Sequence, residues 1–248
     1  MTRRRWIADT VSPPTGHPTH AALTGEQATH LARVLRAEPG QIFDVVAAGF
    51  LHRAEITSVT SDRVDFVLHE ELESDSALPL HLYLAIFKFD HLEWAIEKAT
   101  ELGVSEITPV LARRTEKHLA QAAIKRVERW RRIAHEASQQ SRRTSVPSIS
   151  DPMLLKIALE RESAPTRILL SETEQTLSLS HHLGAPHLAS EMWDPTTALA
   201  IGPEGGWTPE EMNLFTHHQW THVTLGPRIL RAETAAIAAI AIAGTLLR

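Results

Sequence analysis

From Leu80 onward the chain repeats one pattern, a short continuously apolar run followed by a stretch with a hydrophobic residue at every third or fourth position. "LHLYLAIF" precedes "HLEWAIEKATELG", where Leu92, Ile96, Ala99 and Leu102 share a helical stripe that Gly103 stops. "EITPVLA" precedes the long helical stretch "IKRVERWRRIAHEASQQSRR", with Ile124, Val127, Ile133 and Ala134 near one side. "RILLS", "ALAIG" and "HVTLG" then read as strands, with a helix from Thr208 and a closing helix after Arg231. Strands alternating with helices of this length imply a parallel sheet, whose strands can be buried on both faces and so read as unbroken apolar runs. The fold class is therefore α/β, while Leu177 to Pro195 reads as an irregular, histidine-bearing surface insertion.

The first 70 residues follow another rule. "QIFDVVAA", "HRAEITSV" and "DRVDFVLH" alternate apolar and polar positions and are separated by Gly49 and by Ser61-Asp62, as in a small β-rich unit. "LTGEQATHLARVLRAEPG" reads as a helix, with Thr24 and Gln27 as a capping box, Leu31, Val34 and Leu35 on one face, and Pro39-Gly40 as its end. "HEELESDSALP" breaks all periodicity. The expected domains are 1–74 and 75–248, which 248 residues accommodate.

Composition removes several classes of function. With no cysteine, disulfides, thiolate zinc sites and cysteine nucleophiles are excluded, which fits a reducing cytosol and a cytoplasmic protein. "MTRRRWIADTVSPP" carries charge with no apolar stretch after it, so it is not read as a signal peptide. "AAIAAIAIAGTLL" is shorter than the ~20 residues of a membrane span, so no membrane association is expected. The fifteen histidines lack metal-ligand spacing: His135-Glu136 begins like a zincin helix, but Gln139 stands where the second histidine belongs. No metal is expected, and with no G-x-S-x-G elbow neither is a serine hydrolase. The net charge of −5 conceals an asymmetry, since Arg113 to Arg143 holds ten Lys/Arg against three Asp/Glu. Such a segment suits an anionic partner or a solvated helix face.

In open parallel sheets ligands bind beyond the carboxyl ends of the strands. Three strand ends here carry unusual residues: Ser171-Glu172, "GPEGG" at 202–206, and "GPRILRAET" from Gly226. If those strands are neighbours, one pocket results. "GPEGG" is not a phosphate loop, because Trp207 and Thr208 stand where lysine and Ser/Thr are required, and the last lysine of the chain is Lys156. Its glycine spacing also fails the dinucleotide fingerprint. The turn then serves a neutral or cationic ligand that backbone can approach closely, or is merely a tight connection into the "TPEE" helix start.

Taken in order, "KFDHLEWAIEKATELGVSEITPV", "ERWRRIAHEASQQSRRTSVPSI", "LAIGPEGGWTPEE" and "LGPRILRAETAAIAA" resemble the RsmE family, the 16S rRNA (uracil-1498-N3) methyltransferases of the SPOUT class. The resemblance covers nearly the whole chain. It implies a PUA-like β-barrel that helps hold RNA, followed by a SPOUT methyltransferase domain with a trefoil knot, S-adenosylmethionine as cofactor, a homodimer, and 16S rRNA of the small ribosomal subunit as substrate. Carried onto this sequence, the cofactor pocket comprises Leu170, Glu172, Ile201, Gly202, Pro203, Gly206, Leu225, Gly226, Ile229, Leu230 and Thr234, together with Glu204. Two departures are local. "KFDH" puts Phe89 and His91 where the family commonly has glycine and arginine, and Arg142 stands where glycine is usual.

Methyl transfer to uracil N3 requires alignment of donor and acceptor and loss of the N3 proton. Arg231 is the candidate for stabilising charge that develops on O2 or O4, its other reading being an ion pair with Glu233. Glu204 is a candidate base, or else a holder of backbone geometry. For the RNA surface the candidates are Arg3, Arg4, Arg5, Arg33, Arg36, Arg113, Arg114, Arg142 and Arg143.

Overall fold

In the computed structural model, residues 5–14, 16–74, 76–185 and 194–247 are described. The chain divides into two units, Met1–Ser76 with Ser138–Ser145, and Ala77–Ala137 with Val146–Arg248.

In the first unit six strands form one curled sheet: β1 (Trp6–Ile7), β2 (Thr10–Ser12), β3 (His20–Thr24), β4 (Ile42–Ala47), β5 (Phe50–Val59) and β6 (Arg63–Leu72), in the order β1-β4-β5-β6-β3-β2. Residues 6–12 lie at both ends of that order. Trp6 and Ile7 pair in parallel with Val45 and Val46, while Thr10 to Ser12 pair antiparallel with Ala22 to His20. Between them Ala8 donates to the Val46 carbonyl and Asp9 to that of Ala22, so the bent first strand closes the sheet on itself and removes its edges. Trp6, Leu23, Leu31, Ile56 and Phe66 fill the interior.

The expected helix after Thr24 is shorter and differently wound. Helix α1 (Gly25–Thr29) passes directly into a π-helical turn, His30–Val34, and Arg36 takes a left-handed φ of 51°. The wider π turn rotates the stripe, so Leu31 is buried while Val34 and Leu35 face solvent. The capping box is absent as well. Thr24 gives its hydroxyl to Asp9 at 3.1 Å, and Gln27 accepts from Gln139 at 2.5 Å.

The second unit is built on an all-parallel sheet. Its strands are β7 (Leu78–Ala85), β8 (Val104–Leu111), β9 (Ser148–Ile149), β10 (Met153–Leu154), β11 (Thr166–Leu170), β12 (Thr197–Ile201) and β13 (Thr221–Val223). The order is β10-β8-β7-β12-β11-β13, with β9 also on β8. Helices α2 (Phe89–Glu101), α3 (Lys117–Ala123), α4 (Val127–Gln140), α5 (Leu155–Arg161), α6 (Leu179–Leu183), α7 (Pro209–His217) and α8 (Ala232–Leu246) complete it. Alternate strand residues serve opposite faces. Leu82, Leu84, Leu199 and Ile201 pack with Ile96, Trp130, Ala236 and Ile240, whereas Tyr83, Leu169, Ala198 and Ala200 pack with Leu159 and Phe215. Cover on both faces is why the central strand β12 is buried along its whole length and reads as an unbroken small or apolar run after Thr197. Trp130 is fully enclosed, and truncating such a side chain to alanine costs about 3–5 kcal/mol. Within the stretch expected to be irregular, α6 packs Leu179 and Leu183 into the first of these clusters, while residues 186–193 lie outside the described residues.

At the start of β7 lies a polar cluster remote from the carboxyl edge of the sheet. Glu162, 5% exposed, places one carboxylate oxygen 2.7 Å from His81 Nδ1 and accepts the Ala164 N–H with the other at 2.5 Å. Burial would raise the pKa of this carboxyl, but the His81 and Ala164 contacts win and hold it at about 2. A folded-state value below the unfolded one stabilises the protein at neutral pH, and that stability disappears as pH falls from about 5 toward 2. Glu162→Gln should therefore lower stability at pH 7 by about 3 kcal/mol and flatten the acid limb. Urea unfolding measured from pH 7 to pH 3 checks this, and an unchanged acid limb would refute it.

Candidate active site

The chain leaves β7, β12, β11 and β13, which are consecutive neighbours in the sheet, along one carboxyl edge. The loops that follow enclose a cavity of about 1390 Å3. A site for one small molecule usually measures ~300–1000 Å3, so this one has room for a cofactor and a second ligand beside it. Helices α2, α7 and α8 begin at its wall, which brings their positive ends to it.

Of the residues singled out for a cofactor, Leu170, Glu172, Ile201, Gly202, Pro203, Gly206, Leu225, Gly226, Ile229 and Leu230 all line this cavity, as do Glu204 and Arg231. Thr234 does not. It sits exposed on α8, where Ala232 and Ala235 take the cavity side. Lys88, His91 and Trp207 also belong to the wall, although the sequence marked His91 only as a departure from the family pattern and Trp207 only as a mismatch to a phosphate loop. Lys88 and His91 follow β7, a strand end outside the three singled out from the sequence, and its place beside β12 emerges only from the strand order.

The glycine turn is closed by the Gly206 N–H, which donates to the Pro203 carbonyl at 2.8 Å. Thr208 caps α7: its hydroxyl accepts from Glu211 N at 3.3 Å and Glu211 accepts from Thr208 N at 2.8 Å. Buried Glu211 also accepts the Arg113 N–H at 2.7 Å, and Arg114 donates through Nη1 to the Gly205 carbonyl. The loop after β8 is thereby stitched to the turn. Arg114 spends part of its donor set on that turn instead of facing solvent with all of it. In the loop after β11 Glu174 accepts from the Thr176 hydroxyl at 2.6 Å and from the N–H groups of Thr176 and Leu177, which hold its carboxyl at about 2 and pin the loop.

Phe89 opens α2 with its ring 6.0 Å from Trp130 and the Arg126 guanidinium 4.9 Å above it, a packing role that glycine could not fill. His91 Nδ1 lies 2.8 Å from Glu233, whose side chain is 4% exposed. Glu233 is thus committed to His91, and among the described residues Arg231 makes no ion pair, so its guanidinium is available to the cavity.

The remaining arginines sit elsewhere. In the first unit, Arg5 donates through Nη1 to the Arg142 carbonyl and through its N–H to Gln139 at 3.2 Å, which gathers Arg5, Arg142 and Arg143. Arg142 has φ 62°, a conformation that costs a non-glycine residue about 1–2 kcal/mol and that glycine adopts freely. Burial lowers the Arg143 guanidinium to about 10, so it stays charged at neutral pH. Arg33 and Arg36 are exposed on and just after the π turn, Arg113 is exposed in the second unit, and Arg3 and Arg4 lie outside the described residues. Among the described residues no group of histidine and carboxylate side chains is placed to hold a metal, and no helix is long and apolar enough to cross a membrane.

Comparison with known proteins agrees with this geometry. Residues 74–244 match the model of an RNA methyltransferase domain, and residues 23–68 that of an RNA methyltransferase PUA domain. The ribosomal RNA small subunit methyltransferase E of Bacillus subtilis is 34% identical, over 92% of this chain and 91% of its own. That of Synechocystis is also 34% identical, over 91% of this chain and 73% of its own. Among solved structures, the enzyme of that name from Neisseria gonorrhoeae, bound to S-adenosyl methionine, superposes with a TM-score of 0.77 at 29% identity, covering 98% of this chain and 97% of its own.

Proposed function

Because the chain belongs to the ribosomal RNA small subunit methyltransferase E family and methylates small-subunit rRNA from S-adenosylmethionine, we propose that its target is N3 of one uridine in 16S rRNA, uracil-1498. The observation that carries the reading is the convergence of three adjacent strand ends on one cavity, with a lysine-free glycine turn at its centre.

The cavity suits this cofactor. A Cβ added to Gly202 would meet Trp207 Nε1 at 3.0 Å and one on Gly205 would meet Arg114 Cδ at 3.3 Å, so the turn offers bare backbone at close range. Leu170, Ile201, Leu225 and Leu230 supply apolar wall for adenine, backbone groups of 202–206 and 225–230 supply its hydrogen bonds, and Glu172 and Glu204 tolerate a cationic sulfonium. When bound, S-adenosylmethionine supplies an electrophilic methyl carbon whose bond to sulfur breaks with the electron pair left on sulfur. The protein orients the acceptor base, excludes water and disposes of one proton. Arg231, beside the amino end of α8, is placed to hold negative charge that spreads onto a uracil oxygen as N3 loses its proton.

N3 lies on the pairing edge of uracil, so a paired uridine must leave its helix before it enters the cavity. Arg5, Arg33, Arg36, Arg142 and Arg143 in the first unit, with Arg113 and Arg114 in the second, form the proposed phosphate-contacting set. The resemblance further supports a trefoil knot in the second unit, a homodimer, domains divided near residue 74, and a cytoplasmic location where ribosomes assemble. Incubation with methyl-labelled S-adenosylmethionine and undermethylated 30S subunits, followed by nucleoside mass spectrometry, should yield N3-methyluridine. Label in any other nucleoside alone would overturn the reading.

A further inference from the structure

Removal of the N3 proton needs an acceptor, and one side chain on the cavity wall, backed by a buried carboxylate, is arranged as one. His91 sits in the first turn of α2 on the cavity wall. Its Nδ1 is 2.8 Å from the Glu233 carboxylate, which is buried at 4% exposure, while the imidazole itself is 32% exposed. One ring nitrogen is therefore anchored to a buried carboxylate, and among the described residues the other makes no hydrogen bond. The carboxylate of Asp90 approaches Nε2 only to 3.7 Å, beyond hydrogen-bonding range. Resting on the reading of N3 methylation, we propose that His91 is the base that takes the uracil proton and that Glu233 positions it.

The chemistry follows from the anchor. A buried carboxylate at Nδ1 fixes the neutral ring with its proton on Nδ1, so the lone pair is on Nε2, and it stabilises the imidazolium once formed. The N3–H bond breaks, its proton passes to Nε2, and the electron pair remaining on N3 forms the bond to the methyl carbon. The imidazolium later returns its proton to water, which leaves the pair as it began. Of the titratable groups, Glu233 and Asp90 approach the ring at 2.8 and 3.7 Å, while Lys88, Arg114, Glu172, Glu174, Glu204, His222, Arg228 and Arg231 line the same cavity. Arg126, from the turn before α4, is directed to Glu93 at 3.4 Å and to the Phe89 ring, away from His91.

Single-turnover methylation of 30S subunits tests the assignment. His91→Gln should lower the rate about 100-fold with the affinity for S-adenosylmethionine, measured by calorimetry, preserved. The wild-type rate should rise with pH to a plateau, whereas the variant's residual rate should keep climbing with hydroxide. His91→Ala should regain rate when imidazole is added. In 15N spectra of the ligand-free protein, the neutral His91 ring should carry its proton on Nδ1, a preference that Glu233→Gln abolishes. Should Glu233→Gln fail to fold, the His91 variants and the imidazole rescue still decide. A His91→Gln rate within threefold of wild type with the same plateau overturns the proposal, and so does a loss confined to cofactor affinity. Absence of N3-methyluridine with the wild-type protein would instead refute the functional reading beneath it.

Discussion

Arg231→Ala is expected to lower the single-turnover rate of rRNA methylation by about 1000-fold while the dissociation constant of S-adenosylmethionine stays within about twofold. The size of the effect follows from where the charge goes. As N3 gives up its proton, negative charge spreads to the flanking uracil oxygens, and a cation already in place on the cavity wall needs no reorganisation to meet it. Arg231 fits because among the described residues it makes no ion pair: Glu233, the neighbouring carboxylate that would neutralise it, is paired with His91 at 2.8 Å. Arg231→Lys should recover only part of the rate, because an ammonium cannot present the planar donor fork of a guanidinium. Rapid-quench measurement at saturating cofactor checks both variants. Equal rates for wild type and Arg231→Ala would return Arg231 to a purely structural role, and a lost cofactor affinity would place it in the cofactor pocket.

The strand ends that build this cavity were legible because each apolar run stops abruptly at residues no core position would choose. "ALAI" ends at Gly202-Pro203-Glu204, and "RILL" ends at Ser171-Glu172. That their strands lie side by side was not legible, since β12 inserts between β7 and β11 although long segments separate all three in sequence. Order in a sheet is set by which apolar faces fit together, and local periodicity carries no record of it. For the same reason "KFDH" stood out only as a departure from the family pattern, with nothing local to place Lys88 and His91 at the cavity. The contact between His91 and Glu233 spans 142 positions. Glu211 illustrates a different limit. The "TPEE" motif revealed a helix start, but the second duty of Glu211 toward Arg113 depends on the loop after β8.

In the first unit the errors have a local cause. Leu31, Val34 and Leu35 share a face only at 3.6 residues per turn, and the π turn at His30–Val34 breaks that spacing, which leaves Val34 64% exposed. Strands β1 and β2 are too short to show alternation, yet they are the segment that closes the barrel. The "QIFDVVAA", "HRAEITSV" and "DRVDFVLH" runs correspond to β4, β5 and β6, because each is long enough to display its inward and outward faces.

The glycine turn itself predicts the second large effect. Gly206 has φ +70°, and its N–H closes the turn onto Pro203 at 2.8 Å. A β-branched side chain is disfavoured at that φ by more than the ~1–2 kcal/mol charged to an ordinary residue, so Gly206→Val should open the turn and carry Gly202 to Gly205 away from the cavity. The expected result is at least a 100-fold weaker affinity for S-adenosylmethionine, about 3 kcal/mol of binding free energy. Backbone strain alone does not explain such a loss, and a control separates the two. Gly49 has φ +87° with no neighbour within 4 Å, in the first unit, so Gly49→Val imposes comparable strain outside the unit that holds the parallel sheet. It should lower the melting temperature and leave cofactor affinity as in wild type. Calorimetric titration of both variants with S-adenosylmethionine, beside their thermal melts, reads the two effects independently. If Gly206→Val bound the cofactor like wild type, the turn would be a connection between β12 and α7 and no more, and the cavity's ligand would have to be held by the loops after β11 and β13 alone.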